Sequence, residues 1–155
     1  ILGDFDVKVL GTIRCVRGVV EQMKQQGWGR IINIGGQSGR NAGNISSGAR
    51  IAALVHLTGT LAVELGSYGI TVNAVHPGAT RTERTPGSLA ERAKNEGISI
   101  EEAEKRAGGG NLIKRIIDSS EVADLTSFLS SDRAGAITGE VIEVSGGATG
   151  RAVRF

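Results

Sequence analysis

Short runs of β-branched residues alternate along this chain with longer segments whose apolar residues recur at helical spacing. That alternation constrains the fold more than any other feature. Val9, Ile13, Val16, Val20 and Met23 are spaced 4-3-4-3 and predict one face of a helix, closed by Gly27 and Gly29 around Trp28. Arg30-Ile31-Ile32-Asn33-Ile34 follows as a predicted strand bounded by Gly35-Gly36. The segment from Gln37 to Ser47, with Gly39, Asn41, Gly43 and Asn44, reads as a loop. Leu54, Leu57, Leu61 and Leu65 define a second helical face that stops at Gly66 and Gly69. Ile70 to Val75 is the next predicted strand, ended by Pro77-Gly78.

Beyond Thr82 the chain turns polar and charged as far as Asn111, with helix starts of capping-box type at Ser88…Glu91 and Ser99…Glu102. Asp118…Glu121 opens a further helix with Val122, Leu125 and Leu129 on one side. Val141 to Val144 is a last strand, followed by Ser145-Gly146-Gly147 and a short basic tail. The pattern predicts the α/β class: three parallel strands, helices on both faces, right-handed crossovers between them.

At 155 residues the chain is expected to form a single domain, 1-155. Its 18 Lys+Arg face 16 Asp+Glu, a net charge of +2 that offers no basic stripe for nucleic acid. No run of 18 or more apolar, uncharged residues exists, which argues against a membrane span. The start shows no signal-peptide pattern, and a lone Cys15 with two histidines builds neither an internal disulfide nor an ordinary zinc site. A reducing, cytoplasmic location is the expectation. The 24 glycines, about twice the usual share, imply many close backbone approaches. The first residue is Ile1, which fits a processed product or a portion of a longer chain.

Several motifs carry a resemblance. Arg30-Ile-Ile-Asn-Ile34, Leu61-Ala-Val-Glu-Leu65, and Gly69-Ile-Thr-Val-Asn-Ala-Val-His-Pro-Gly78 with Thr82 closely resemble the short-chain dehydrogenase/reductase family. So do Glu121-Val-Ala-Asp-Leu125, Ser130-Ser-Asp-Arg-Ala134 and Ile137-Thr-Gly-Glu-Val141 leading to Gly146-Gly147. The resemblance implies a partial Rossmann-like, doubly wound fold matching the C-terminal half of the family. The first four strands and their glycine-rich pyrophosphate turn would then lie outside this chain. The other reading makes Gly35-x-x-x-Gly39 that turn, but such a turn opens a helix, and the residues after Gly39 read as loop.

The family moves a hydride between NAD or NADP and a carbonyl or alcohol carbon. A Tyr passes the proton, a Lys four residues on lowers its pKa and binds ribose, a Ser holds the substrate oxygen, and an Asn anchors a relay water. Tyr and Lys at that spacing stack on one helix face. Counted from Ala52-Ala53-Leu54, the Lys position holds Ile51 and the Tyr position Ser47. The Ser position is best matched by Gly36 and the Asn position by Lys8. No catalytic residue is therefore assigned. A positioned acid/base contributes about 10²–10⁴ in rate, so the resemblance implies an impaired oxidoreductase, a pseudoenzyme.

Substitutes are poor. Arg50 lies one residue, about 100° of helix, from the Lys position and keeps its proton. Tyr68 reads as a packing or surface residue, Ser46 and Ser47 as helix caps, and His56 and His76 as structural. By resemblance, Pro77, Gly78 and Thr82 are the cofactor-contacting segment that remains, too little to hold NAD or NADP tightly. The plainer reading is that Pro77-Gly78 only ends a strand. Residues 83–111 match the family's mobile substrate lid. With strand 31–34 at an open sheet edge, the expected partners are a second copy through helices 9-23 and 54-65, or a separate N-terminal half. A non-catalytic oligomerisation or partner-binding module is the alternative to an oxidoreductase.

Overall fold

The computed structural model describes residues 2–39 and 43–147. Asn41 and the basic tail after Gly147 lie outside the described residues. The chain divides into two compact units, one comprising Ile1–His76 with Asp124–Ile142, the other Pro77–Ala123 with Glu143–Phe155.

The first unit opens with the helical turn α1 (Leu2–Phe5) and a π-helical segment, Asp6–Leu10, that runs into α2 (Gly11–Gln26). Gly27 ends α2 in the left-handed conformation (φ 64°), its N–H donating to the Lys24 and Met23 carbonyls. Strand β1 (Gly29–Ile34) follows, then a 3₁₀ turn at Gln37–Gly39 and the long helix α3 (Ile45–Leu65). Strand β2 (Ile70–Pro77) pairs in parallel with β1, Gly29 opposite Ile70 and Ile34 opposite Val75.

The second unit holds a two-residue strand β3 (Thr80–Arg81), helices α4 (Thr85–Glu96) and α5 (Ile100–Gly108), and strand β4 (Ile117–Asp118). Helix α6 (Ser119–Leu129) leads back towards β5 (Val141–Val144). The main sheet has three strands, the number the pattern predicts, in the order β1-β2-β5, and β1 is its edge among the described residues. The parallel β3–β4 ladder is an addition: two-residue strands carry no readable periodicity.

Burial follows the helical faces. Ala62 and Leu65 of α3 pack with Ile70 and Val72 of β2, and Val20, Met23, Ile31 and Leu61 close over them. Residues 70–76 of β2 are buried throughout, the expectation for a strand covered on both faces. Within that core Asn33 donates to the Thr58 hydroxyl (2.9 Å), and Thr58 donates to the Leu54 carbonyl (2.8 Å). Asn73 holds the segment before β5, donating to the Ile137 carbonyl (2.8 Å) and accepting from the Glu140 amide (3.1 Å).

Two expectations change, and the one against a membrane span gains a qualification. Segment Ile45–Tyr68 contains an 18-residue window of mean hydropathy 1.2 with at most two charges, so by length and composition it is apolar enough to cross a membrane. Its stripe of Ile51, Leu54, Thr58, Ala62 and Leu65 is buried in the protein, the pattern of a core helix. The cap of α3 is Asn44 rather than Ser46 or Ser47: its side chain accepts from the Ser47 amide (3.0 Å), so the loop ends earlier than its composition suggests. Ser88 lies inside α4 and starts nothing; that helix begins three residues earlier, with Pro86 in its first turn. Ser99 does cap α5, accepting from the Glu102 amide at 3.1 Å.

Candidate functional site

The four positions implied by resemblance all fall in the first unit, and the geometry of each is explicit. Ser47 sits in the first turn of α3, and its hydroxyl donates to the Asn44 carbonyl (3.1 Å). The Ser38 hydroxyl donates to the Ser47 carbonyl (3.3 Å). Ser47 is thereby spent on the helix start. One turn on, Ile51 is 2% exposed. A Cβ built on Gly39 would meet the Ile51 Cγ2 at 2.8 Å, so this side chain packs directly on the 3₁₀ turn.

Gly36 is bounded differently. A Cβ there meets nothing within 4 Å, whereas one on neighbouring Gly35 would strike the His76 ring, 2.5 Å from Nε2. His76 is fully buried against that glycine, which fits the structural reading, and His56 is on the exposed side of α3. Lys8, half-buried on the π-helical segment, donates from Nζ to the Ile34 carbonyl at 2.9 Å. Sequence reasoning placed Lys8 at the Asn position but did not foresee this ammonium at the end of β1. The hydrogen bond from the Ser46 hydroxyl, and secondarily the Arg50 charge, hold the Asp4 carboxyl below its ordinary value. Tyr68 is a surface residue, its ring 5.1 Å from Lys24 Nζ.

Proton transfer needs an acid and base whose pKa values approach the working pH. A serine hydroxyl is a much weaker acid than a phenol, whose ordinary value is about 10, and Ile51 brings no charge to lower it. The residues present therefore do not fit a nicotinamide ribose held in the family's manner. Gly35 to Gly39 is no pyrophosphate cradle either: it enters a 3₁₀ turn, and α3 starts at Ile45. Packing against His76 and Ile51 accounts for its two end glycines. Among the described residues no group of three or more His, Cys, Asp or Glu is placed to hold a metal.

The remaining cofactor candidates lie at the start of the second unit, where Pro77 ends β2. Gly78 is explained by close packing: a Cβ would meet the Ser145 backbone at 2.8 Å, and its amide bonds the Val144 carbonyl (2.9 Å). Thr82 is different. It lines an open cleft of about 300 Å³ together with Thr80, Arg84, Thr85, Ser88 and Arg92. The cleft was not visible in the sequence, because Arg92 and Ile116 join Thr82 in its lining only once the chain folds.

The parallel strand order with helices between, and the strand-end segment running into a polar helical pair, are those of a short-chain dehydrogenase/reductase. The chain belongs to that family: the family model described as Enoyl-(Acyl carrier protein) reductase matches residues 3–149. It is 39% identical over 143 residues to the short-chain reductase protein NovJ of Streptomyces niveus, covering 92% of this chain and 53% of that protein. It is 34% identical over 147 residues to D-beta-hydroxybutyrate dehydrogenase of Rhizobium meliloti, covering 92% and 57%. In structure it is similar to L-sorbose reductase from Gluconobacter frateurii, solved with NADPH and L-sorbose: TM-score 0.88 at 26% identity, covering 96% of this chain and 57% of that one. The chain spans about half the length of the curated relatives it matches.

Proposed function

We propose that this chain keeps the fold of an NAD(P)-dependent short-chain reductase without its proton-transfer chemistry. The observation that carries this reading is Ile51, 2% exposed and packed on Gly39, with Ser47 turned back onto Asn44. Positions 8, 36, 47 and 51 all lie inside the chain, so the reading holds whatever precedes or follows it. We read residues 1–155 as the counterpart of the C-terminal half of the family, with NAD or NADP not bound tightly by Pro77, Gly78 and Thr82 alone. The test is a melting curve with NADH or NADPH, paired with an assay of their oxidation by simple carbonyls. A ligand at one hundred times its dissociation constant adds about 2.7 kcal/mol, several degrees for a domain this size. No shift and no oxidation are expected; steady turnover with either cofactor would sink the proposal.

A second reading, self-association, is favoured by the apolar surface of α2 and α3. Val63 is 86% exposed and Val19 42%. A groove of about 290 Å³ runs between the helices past Ile13, Val16, Leu57 and Leu61. Such a surface invites a second copy of the chain. Light scattering behind a sizing column tests it: V63E should shift an oligomer towards monomer, and a monomeric wild-type protein would refute it.

A further inference from the structure

Strand β1 has β2 on one side and an outer side opposite. The Gly35 amide donates to the Val75 carbonyl (2.9 Å), so position 35, and with it 33, 31 and 29, turn their amides and carbonyls towards β2. A strand alternates, which leaves the backbone groups of Arg30, Ile32 and Ile34 on the outer side. Among the described residues β1 is the edge of its sheet, and a row of unpaired backbone groups is a template for another strand.

One of these groups is covered. Lys8 Nζ donates to the Ile34 carbonyl (2.9 Å), the last outward acceptor of β1. Lys8 lies in the middle of the π-helical segment Asp6–Leu10, a rare geometry that recurs at functional positions. The neighbouring cation Arg14 is placed differently, on the Asp6 carboxylate (2.5 Å).

The outer edge matches itself. With Ile32 opposite Ile32 of a second copy in antiparallel pairing, Arg30 falls opposite Ile34, and all three outward positions become hydrogen-bonded pairs. Lys8 stands on the Ile34 carbonyl that the Arg30 amide of the other copy needs, at both ends of the ladder. A strand laid there has to bury or displace an ammonium, which is costly. Lysine on an edge strand is one of the ways sheets resist such pairing. We infer that Lys8 guards the outer edge of β1, and that what it holds off is the same edge of a second copy of this chain, in antiparallel register about Ile32. Neither the α2–α3 surface nor the loss of hydride chemistry enters this inference.

The test compares variants of the full chain in a V63E background, so that association through α2 and α3 does not contribute. K8M keeps the length of the side chain and removes the donor, and K8A removes the donor and the stem. K8R keeps a donor, and R14A removes a nearby cation that bonds Asp6 rather than β1. Amide exchange followed by NMR at low and high protein concentration reads the pairing. In K8M and K8A the Arg30 and Ile32 amides should gain about tenfold protection at the higher concentration, with a dimer in light scattering. V63E alone, K8R and R14A should show neither. Adding I32P, which removes the central outward N–H and is tolerated on an edge strand, should return K8M to monomer. Exchange that is independent of concentration in both K8M and K8A, an equal gain in R14A, or a dimer that survives I32P would each overturn the guard.

Discussion

Gly39 makes room for Ile51. A Cβ at position 39 would approach the Ile51 Cγ2 to 2.8 Å and the Ala52 amide nitrogen to 3.3 Å, the latter being backbone that cannot step aside. The G39A variant is therefore expected to lose about 1–3 kcal/mol of stability, read as an earlier midpoint in urea at unchanged slope. A midpoint equal to wild type would show that the turn and α3 are not in this contact.

Charge at position 51 should be tolerated poorly. Ile51 is 2% exposed, and I51K would bring an ammonium into that packing with no partner placed for it. A loss of about 3 kcal/mol is expected, growing as pH falls and the lysine is forced to stay charged. Thermal melts at pH 7 and pH 10 check it: the deficit should shrink at the higher value.

Two adjacent glycines should behave in opposite ways. G35A drives a methyl group towards the buried His76 ring, 2.5 Å from Nε2, and should cost about 2 kcal/mol. G36S meets open space within 4 Å and should remain within about 0.5 kcal/mol of wild type. Chemical denaturation of both variants decides between them; equal losses would contradict the geometry.

The buried Asn33–Thr58 hydrogen bond joins β1 to α3. T58V keeps the shape, removes the acceptor and leaves the Asn33 amide unsatisfied, at a cost of about 1–3 kcal/mol. Replacing both residues, N33L with T58V, should cost less than the sum of the single losses. Additive losses in that double-mutant cycle would mean the pair is not coupled.

Acid should weaken the second unit through one carboxylate. The Arg115 fork, then the Asp118 amide, hold Glu121 down at about 2 from an ordinary value of 4.5. Its folded-state pKa is depressed, so its contribution is complete above the unfolded value and is lost as pH falls from 4.5 towards 2. Melting temperatures across that window should fall more steeply for wild type than for E121Q. Parallel curves would remove Glu121 from the account.

How much of this was legible in the chain depends on whether the signal was local. Periodicity located α2, α3, α6 and the three main strands, because apolar spacing along one segment reports which face will be covered. Ser99 announced its helix for the same reason: a cap acts within three residues. Ser88 misled because capping patterns recur where no helix starts, and only the Pro86 turn shows that α4 is already under way. The site divides along the same line. The candidate positions 8, 36, 47 and 51 could be named from motif spacing alone. That Ile51 packs on Gly39, that Lys8 reaches the Ile34 carbonyl, and that Thr82 and Ile116 line one cleft depend on segments apart in sequence meeting in space. Amino-acid order settled the family and the succession of helices and strands, since those are properties of single segments. Tertiary packing alone decided which of these positions became core and which surface became a cleft, since burial and charge belong to the neighbours a residue acquires on folding.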